Sequence, residues 1–325
     1  MDDAILLKEL TPVAERLLER HLATAKEWHP HEYVPWSRGR DFEPGEEWEP
    51  SEVAPSEAVR SALFLNLLTE DNLPYYFAHI DKTFGVDHPW GYWTRRWTAE
   101  EMRHATVIRD YVVVTRAIDP WALERARMHQ VTTGEVPEPP SVPEVLVYVT
   151  LQELATRIAH RNTGKHLADQ RGLQVLARVA ADENLHHLFY RDLATGALEF
   201  AASDMVVAMA KQVRTFQMPG TGIPDFNAHS KIIASAGIYD VEILYEQVLA
   251  PVVRNHWRLE SLEGLTPEAE EARTVILRHL ERLAKVAARH ASRRAEAAEA
   301  AAAADAAPGA AGGRAEVRDG VSARA

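Results

Sequence analysis

The feature that most constrains the fold of this chain is a pair of Glu-x-x-His motifs, each set in a run of helical periodicity. The first joins Glu101 and His104, and the second joins Glu183 and His186. Positions three apart lie on one face of a helix, so each motif can present a carboxylate oxygen and an imidazole nitrogen to one ion. Glu183 with His187 is an alternative helical pair, and solvated surface pairing is the simpler explanation of either motif alone.

Each motif is preceded by a lone glutamate at nearly the same distance. Glu70 lies 31 residues before the first motif, and Glu153 lies 30 residues before the second. The middle of each interval falls in a glycine-bounded segment, at 85–91 and at 164–172. Residues equidistant from the turn of an antiparallel helix hairpin lie at the same height, so each hairpin brings its glutamate level with its motif. The repeat favours two hairpins, and the first histidine of the HH pair over the second.

Two such hairpins packed together supply four carboxylates and two imidazoles. This inventory is that of ferritin-like dinuclear carboxylate bundles. Hard oxygen ligands with a borderline nitrogen on each metal suit iron that reacts with O₂. A histidine that binds a metal needs a partner for its second nitrogen. Glu100 and Asp182, which directly precede the motif glutamates, are the expected partners, each crossing to the histidine of the other hairpin.

The remaining sequence predicts an all-α fold, a ferritin-like four-helix bundle core with additional helices. The run VLVYVTL at 145–151 is ambiguous, but its continuation at helical period favours a helix. Segments rich in proline, at 29–56 and 134–143, predict irregular structure. The predicted helices cover about 1–25, 56–84, 94–117, 144–163 and 172–198, and two more end near residue 294.

We expect one domain over residues 1–294 and a low-complexity tail over 295–325. The first part of the tail prolongs a helix in this interpretation, and the part after Pro308 is disordered. The chain has no cysteine among its 325 residues, so it cannot carry disulfides, a cysteine nucleophile or its own iron–sulfur cluster. A net charge of −12 argues against nucleic-acid binding. The sequence predicts no signal peptide and no membrane span, and we expect a cytoplasmic protein.

Several segments of the chain resemble the soluble acyl-[acyl-carrier-protein] desaturases, the stearoyl type of plant plastids and their actinobacterial relatives. The resemblance covers about residues 26–294, and Asp71 and Asn72 depart from the Glu and Ala of many plant members. The segments that carry it are LLTEDNLPYY (67–76), RRWTAEEMRH (95–104), LQELATRIAHRNTG (151–164) and ADENLHH (181–187), with FQMPG (216–220) in support.

The resemblance implies a diiron oxidoreductase that uses O₂ and two external electrons to introduce a double bond into a fatty acyl chain on acyl carrier protein. It implies a homodimer and a ferredoxin-type electron donor. It places Thr156 beside the oxygen-binding side of the diiron centre, and it places Trp28 and Asp182 on a route for electrons toward His104. Two iron ions per subunit would be held by Glu70, Glu101, His104, Glu153, Glu183 and His186.

Two of these roles have simpler alternatives, and the function has rivals. Thr156 could bond only to the carbonyl one turn earlier, and Trp28 could be ordinary packing. Another diiron oxidase or oxygenase, such as an N-oxygenase or a ribonucleotide reductase small subunit, is one rival; the latter requires a tyrosine beside the site. A non-catalytic iron-storage or lipid-binding relative is the other rival. The candidate tyrosines are Tyr75, Tyr76 and Tyr190.

The segment 273–294 carries basic residues at steps of three or four, which predicts a basic stripe on one helix face. Acyl carrier proteins are acidic, so this stripe is a candidate docking surface in a chain that is itself acidic. The alternative is a solvated face whose charges pair within the helix. The stripe consists of Arg278, Arg282, Lys285, Arg289 and Arg293.

Overall fold

Four long stretches of helix, paired as two hairpins, form the centre of the fold in the computed structural model. The structure describes residues 1–43, 45–50, 54–218, 220 and 222–306, and within these ranges it contains helices and no strand. The all-α prediction is therefore confirmed for the described chain. The helices are α1 (Asp3–Thr24), the short α2 (Pro30–Tyr33), α3 (Glu57–Glu70), α4 (Leu73–Phe84), α5 (Trp90–Thr115), α6 (Pro120–Thr133), α7 (Val142–His166), α8 (Gln170–Thr215), α9 (Phe226–Ser235), α10 (Val241–Ile243) and α11 (Pro267–Ala306).

The first hairpin has a first arm made of two helices rather than the single predicted one. Helix α3 ends at Glu70 and α4 begins at Leu73. Pro74 has no N–H for the carbonyl of Glu70 four residues earlier, and its ring would collide with that carbonyl in a continuous helix. The second arm, α5, begins at Trp90, about four residues earlier than predicted, because Trp90 and Trp93 are buried in the core.

Helix α6 braces this break, and it was absent from the predicted helices. Arg127 donates to both carboxylate oxygens of Asp71, at 2.7 and 2.9 Å, and Gln130 Nε2 donates to Asn72 Oδ1 at 2.6 Å. Few residues of α6 are buried, so its hydrophobic periodicity is weak. Its start still has a recognisable signal, because the pair at 119–120 is a capping aspartate followed by proline.

The second hairpin consists of α7 and α8, which pack along each other with a short turn between His166 and Gln170. Helix α7 is buried on nearly every side, which explains why 145–151 has no polar face. Helix α8 is longer than predicted. It bends at Ala201, where φ is −142° and ψ is 49°, and continues to Thr215.

Helices outside the hairpins complete two apolar cores. Helix α1, predicted over 1–25, packs on α8, and its leucines join the core formed by α7, α8 and α11. The second core joins α3, α5 and α9. Helix α10 continues as two π-helical stretches, Leu244–Leu249 and Pro251–His256.

The C-terminal region differs from the prediction of two helices that end near residue 294. Helix α11 passes through Arg294 without a break and ends at Ala306, so the low-complexity segment does begin as a helix. Disorder after Pro308 was predicted for residues that lie outside the described chain. The domain boundary at 294 stays a prediction.

One described helix, α8, is long and apolar enough to cross a membrane by length and composition alone. Sequence analysis predicted no membrane span. Of the most apolar window of α8, 56% of the residues are buried inside the fold. Helix α8 also carries buried acidic and imidazole side chains, including Asp182, Glu183 and His186, as an inner helix of a bundle does.

Candidate metal centre

The six predicted ligands come together between the two hairpins. They form two groups of four side chains, and in each group one potential ligand atom per residue lies within 4.8 Å of all the others. All six side chains are buried. The first group contains Glu70, Glu101, His104 and Glu183, and the second contains Glu101, Glu153, Glu183 and His186.

The two groups share Glu101 and Glu183, one from each hairpin. Each group then adds one lone glutamate and one histidine of its own. A carboxylate has two oxygens, so a shared glutamate can bind one ion with each of them. The arrangement is therefore that of two adjoining metal positions with equivalent ligands.

The ring orientation of both histidines directs Nδ1 at the carboxylates. His104 Nδ1 lies 3.4 Å from Glu101 and 3.5 Å from Glu183. His186 Nδ1 lies 2.8 Å from Glu101 and 3.5 Å from Glu153. Nδ1 is therefore the atom of each imidazole that is available to a metal.

The second nitrogen of each histidine faces the acid of the opposite hairpin, as the spacing predicts. His186 Nε2 on α8 lies 2.9 Å from Glu100 Oε2 on α5, in a hydrogen bond. His104 Nε2 on α5 lies 3.5 Å from Asp182 Oδ2 on α8. A proton held on Nε2 by these carboxylates leaves the lone pair of Nδ1 free for a metal.

Each of the two lone glutamates takes part in a hydrogen bond that sequence analysis did not identify. His160 Nε2 lies 2.8 Å from Glu70 Oε1, in a hydrogen bond, and burial lowers the pKa of His160 to about 4. Trp97 Nε1 donates to Glu153 Oε1 at 3.1 Å. His160 fitted no ligand spacing in the sequence, because its partner lies on a helix of the other hairpin.

The N-terminal segment contacts Asp182 and Glu100, the outer carboxylates that face Nε2 of the two histidines. Trp28 Nε1 donates to Asp182 Oδ2 at 2.7 Å, and the indole ring is stacked on His104 with 6.5 Å between centroids. His21, which sequence analysis missed, lies with Nε2 2.9 Å from Glu100 Oε2. Nothing in the local sequence distinguishes His21 from an ordinary helix-terminal histidine.

The charge of the centre favours bound cations. Burial and the charges of the neighbouring glutamates raise the pKa of Glu70 and Glu153 well above the usual value. Burial would lower the pKa of His104 and His186, but the surrounding carboxylates outweigh it and raise both pKa values. The pKa values of the shared Glu101 and Glu183 are lowered, because hydrogen bonds and charges of His104 and His186 outweigh the effect of burial. Two carboxylates that resist ionisation, beside two ionised ones and imidazoles that attract protons, indicate a site short of positive charge, which metal ions supply.

The hydrogen-bonding pattern also fits a metal. Several buried ligand atoms that face the centre form no well-aligned hydrogen bond with the described residues, although His186 Nδ1 and Glu101 Oε1 lie 2.8 Å apart. Such groups are costly unless a ligand satisfies them. These atoms are Nδ1 of His104 and His186, Oε1 of Glu101, and Oε2 of Glu153 and Glu183.

His187 points away from the centre. Its Nδ1 lies 3.0 Å from the backbone carbonyl of Thr150 on α7, and burial lowers its pKa to about 4. The structure thus brings His186 to the metal groups and leaves His187 as a neutral side chain that joins α8 to α7.

Thr156 lies where two cavities meet. A cavity of about 20 Å³ lies beside Glu70, Glu101 and Glu183, and an apolar cavity of about 80 Å³ extends toward α9; both are lined by Thr69 and Thr156. The hydroxyl of Thr156 donates to the carbonyls one turn earlier, at 3.1 Å, as the simpler alternative expects.

The three candidate tyrosines differ in their surroundings. Tyr75 donates its hydroxyl to the carbonyl of Val131 at the surface. The hydroxyl of Tyr76 lies 3.3 Å from that of Tyr148, and Tyr76 lines the cavity beside the glutamates. Tyr190 is fully buried, and its hydroxyl has no partner among the described residues.

A third acidic group, near the C-terminal end of α11, is already neutralised by a cation of the chain. Arg294 donates to Asp240 Oδ2 at 2.9 Å and to both oxygens of Glu242. His290 lies 3.5 Å from Asp240. We interpret this group as an ion-pair cluster that fixes α11 to α10.

The fold and the centre define a class of protein, a helical bundle whose two hairpins build adjoining sites that can hold metal ions. A sequence profile of the family described as "Fatty acid desaturase" matches residues 2–306. The chain belongs to this fatty acid desaturase family.

Individual relatives agree with the family. DesA1 of Mycobacterium tuberculosis, named as an acyl-[acyl-carrier-protein] desaturase, is 40% identical over 294 residues, which cover 86% of this chain and 87% of DesA1. The chloroplastic stearoyl-[acyl-carrier-protein] 9-desaturase 6 of Arabidopsis thaliana is 33% identical over 243 residues, or 69% of this chain and 61% of that protein.

A solved structure supports the fold. The X-ray structure of acyl-ACP desaturase DesA2 from M. tuberculosis H37Rv aligns with a TM-score of 0.67 at 28% identity, over 82% of this chain and 99% of that chain. The prediction of a ferritin-like helical fold is therefore confirmed.

Proposed function

We propose that this chain is an O₂-dependent desaturase that introduces a double bond into a fatty acyl chain carried on acyl carrier protein. The observation that carries the proposal is the pair of metal groups that share Glu101 and Glu183, next to an apolar cavity. The names of the relatives supply the substrate class.

The ligand set suits two iron ions per chain. Glu70 and His104 would bind one ion, Glu153 and His186 the other, and the two remaining glutamates would bridge them. When bound, the irons supply the oxidising chemistry, with O₂ as oxidant and two external electrons. The chain holds the ligands in place through hydrogen bonds on His186 and both lone glutamates, and through the approach of Asp182 to His104, so little rearrangement is needed.

A saturated chain has no polar handle, so a shaped apolar cavity must position the carbon–carbon bond that is oxidised. The apolar cavity is lined by Ile233, Ile238 and Tyr239 near α9 and reaches Thr156 beside the metal groups. We propose that the acyl chain enters along this cavity, and that Thr156 lies on the side where O₂ binds.

The chain has no cysteine for an iron–sulfur relay of its own, which supports a separate electron donor. We propose a ferredoxin-type donor and the route through Trp28 and Asp182 to His104, which the hydrogen bond at 2.7 Å supports. A homodimer and a cytoplasmic location complete the proposal and rest on the resemblance alone.

The basic stripe of α11 is our candidate docking surface for acyl carrier protein. Its five members are exposed and form no ion pair with any described carboxylate, whereas Ile276 and Leu280 on another side are fully buried. Arg294 donates a hydrogen bond to Asp240, and Tyr239, which directly precedes Asp240 in the chain, lines the apolar cavity. A carrier held at the C-terminal end of the stripe would lie near that cavity.

Product analysis tests the function. The iron-loaded chain is incubated with stearoyl- and palmitoyl-acyl carrier protein, a ferredoxin system and O₂, and the acyl chains are analysed by mass spectrometry. A desaturase yields chains that have lost two hydrogens and gained no oxygen. An oxygenase would add oxygen, and a storage or lipid-binding relative would leave the chains unchanged. Omission of ferredoxin serves as the control.

A further inference from the structure

His21 belongs to a helix outside the two hairpins, yet its side chain reaches the metal centre. It lies in the last turn of α1, is only 4% exposed, and has Nε2 2.9 Å from Glu100 Oε2. The same oxygen lies 2.9 Å from His186 Nε2. A carboxylate oxygen accepts two hydrogen bonds, so one oxygen joins the two imidazoles.

The other metal position has an equivalent contact from the same N-terminal segment. Trp28 donates to Asp182 Oδ2, and that oxygen lies 3.5 Å from His104 Nε2. Residues 21 and 28 therefore each hold the outer carboxylate of one histidine, and they serve different histidines.

We propose that His21 is a positioning residue that holds the imidazole of His186 in place at one metal position by fixing Glu100. The inference rests on the proposed iron centre. Arg96 lies 2.5 Å from the other oxygen of Glu100, and Arg103 lies 3.7 Å from it. Without the bond from His21, these arginines hold only one end of the carboxylate. The carboxylate can then turn away from His186.

The surroundings of His21 argue against a role in packing alone. Its ring meets the edge of Trp93, with centroids 5.0 Å apart, a contact that phenylalanine could also make. Nδ1 of His21 is buried and has no partner among the described residues. An unsatisfied buried nitrogen costs stability, so the bond made by the other nitrogen is the reason for histidine at this position.

Release of iron to a chelator tests the inference without any catalytic assay. Wild type, His21→Phe and His21→Gln are loaded anaerobically with Fe(II), and release to excess chelator is followed by absorbance. In His21→Phe, we expect one iron to leave about tenfold or more faster and the other at the wild-type rate. His21→Gln restores slow release, because its amide N–H can reach Glu100.

A second variant shows that the effect belongs to one metal position. Trp28→Phe is also expected to speed the release of one iron. The double variant, His21→Phe with Trp28→Phe, should speed the release of both, since the two residues act on different histidines. If both irons leave His21→Phe at the rates measured for wild type, the inference is overturned. Equal acceleration of both irons in His21→Phe would overturn it as well.

Folding of each variant is checked by circular dichroism and thermal unfolding. If His21→Phe does not fold, His21→Asn replaces it, because the shorter amide stays polar but falls short of Glu100. Loss of fold in both variants, with both irons lost together, would also overturn the selective role. If the wild-type chain takes up no iron, the proposed metal centre itself is contradicted. If every variant binds two irons and releases them at wild-type rates, only the role of His21 is contradicted.

Discussion

Glu101 on α5 and Glu183 on α8 are common to both metal groups, so each hairpin contributes one carboxylate that reaches both positions. The hairpins must keep their relative height for this to hold, because a slip of one helical turn would move one glutamate out of both groups. The near-equal spacings of 31 and 30 residues between the lone glutamate and the motif glutamate of each hairpin match this relative height.

Removal of Glu183, which both metal groups share, or of His186, which belongs to one group, is expected to lower the iron content. Removal of His187 is not. Glu183→Ala takes a ligand from both positions, and His186→Ala takes one from a single position, so each weakens iron binding by roughly tenfold or more. His187→Ala should keep two irons per chain, because His187 bonds to the Thr150 carbonyl instead. Iron assay of the three purified variants decides this, and loss of metal in His187→Ala alone would contradict the assigned register.

Trp28→Ala and Asp182→Asn are expected to keep two irons per chain and to slow turnover with ferredoxin by roughly 10–100-fold. Both changes interrupt the contact through which Trp28 reaches His104. Steady-state turnover is measured alongside iron content. Wild-type rates in both variants would leave Trp28 as a packing residue only.

The centre was more predictable than its surroundings. The six candidate ligands, which the structure brings together, follow from helical period and hairpin symmetry, which are properties of the sequence itself. His160 and Trp97 could not be assigned, because each bonds to a glutamate on another helix. His21 shows the same limit, since its partner Glu100 is 79 residues away.

The fold was predicted well where hydrophobic periodicity is strong and poorly elsewhere. The break after Glu70 was missed even though Pro74 marks it, because the apolar pattern continues across it. Helix α6 was missed because few of its residues are buried, although its capping signal at 119–120 was present. Helix α8 continues past its bend at Ala201, which no residue type in the sequence requires.

Arg127→Ala is expected to destabilise the fold by about 2–4 kcal/mol. The change leaves the buried carboxylate of Asp71 without its two hydrogen bonds, and the figure lies below that of a fully buried pair because Arg127 is one-fifth exposed. Urea unfolding measures the effect. Arg125→Ala on the same helix is the matched control, since Arg125 is exposed and forms no ion pair with the described residues. Similar losses in the two variants would remove the bracing role from Arg127.

Reversal of two charges on the basic stripe, Arg282→Glu with Arg289→Glu, is expected to raise KM for acyl carrier protein substrates by roughly tenfold and to make its salt dependence shallower. Iron content should be unchanged, because the stripe is exposed and remote from the ligands in sequence. Lys82→Glu with Arg125→Glu removes the same charge elsewhere and serves as the control. A KM and a salt slope equal to wild type would show that the stripe is only a solvated face.

Desaturation measured against iron content tests the central claim most directly. The apo-chain is titrated with Fe(II), and the double bonds formed per chain are measured with acyl carrier protein substrate, ferredoxin and O₂ in excess. Two positions that share Glu101 and Glu183 must both be filled, so product should track the fraction of chains with two irons and reach its maximum at two per chain. Full desaturation at one iron per chain, or desaturation without iron, would contradict the account.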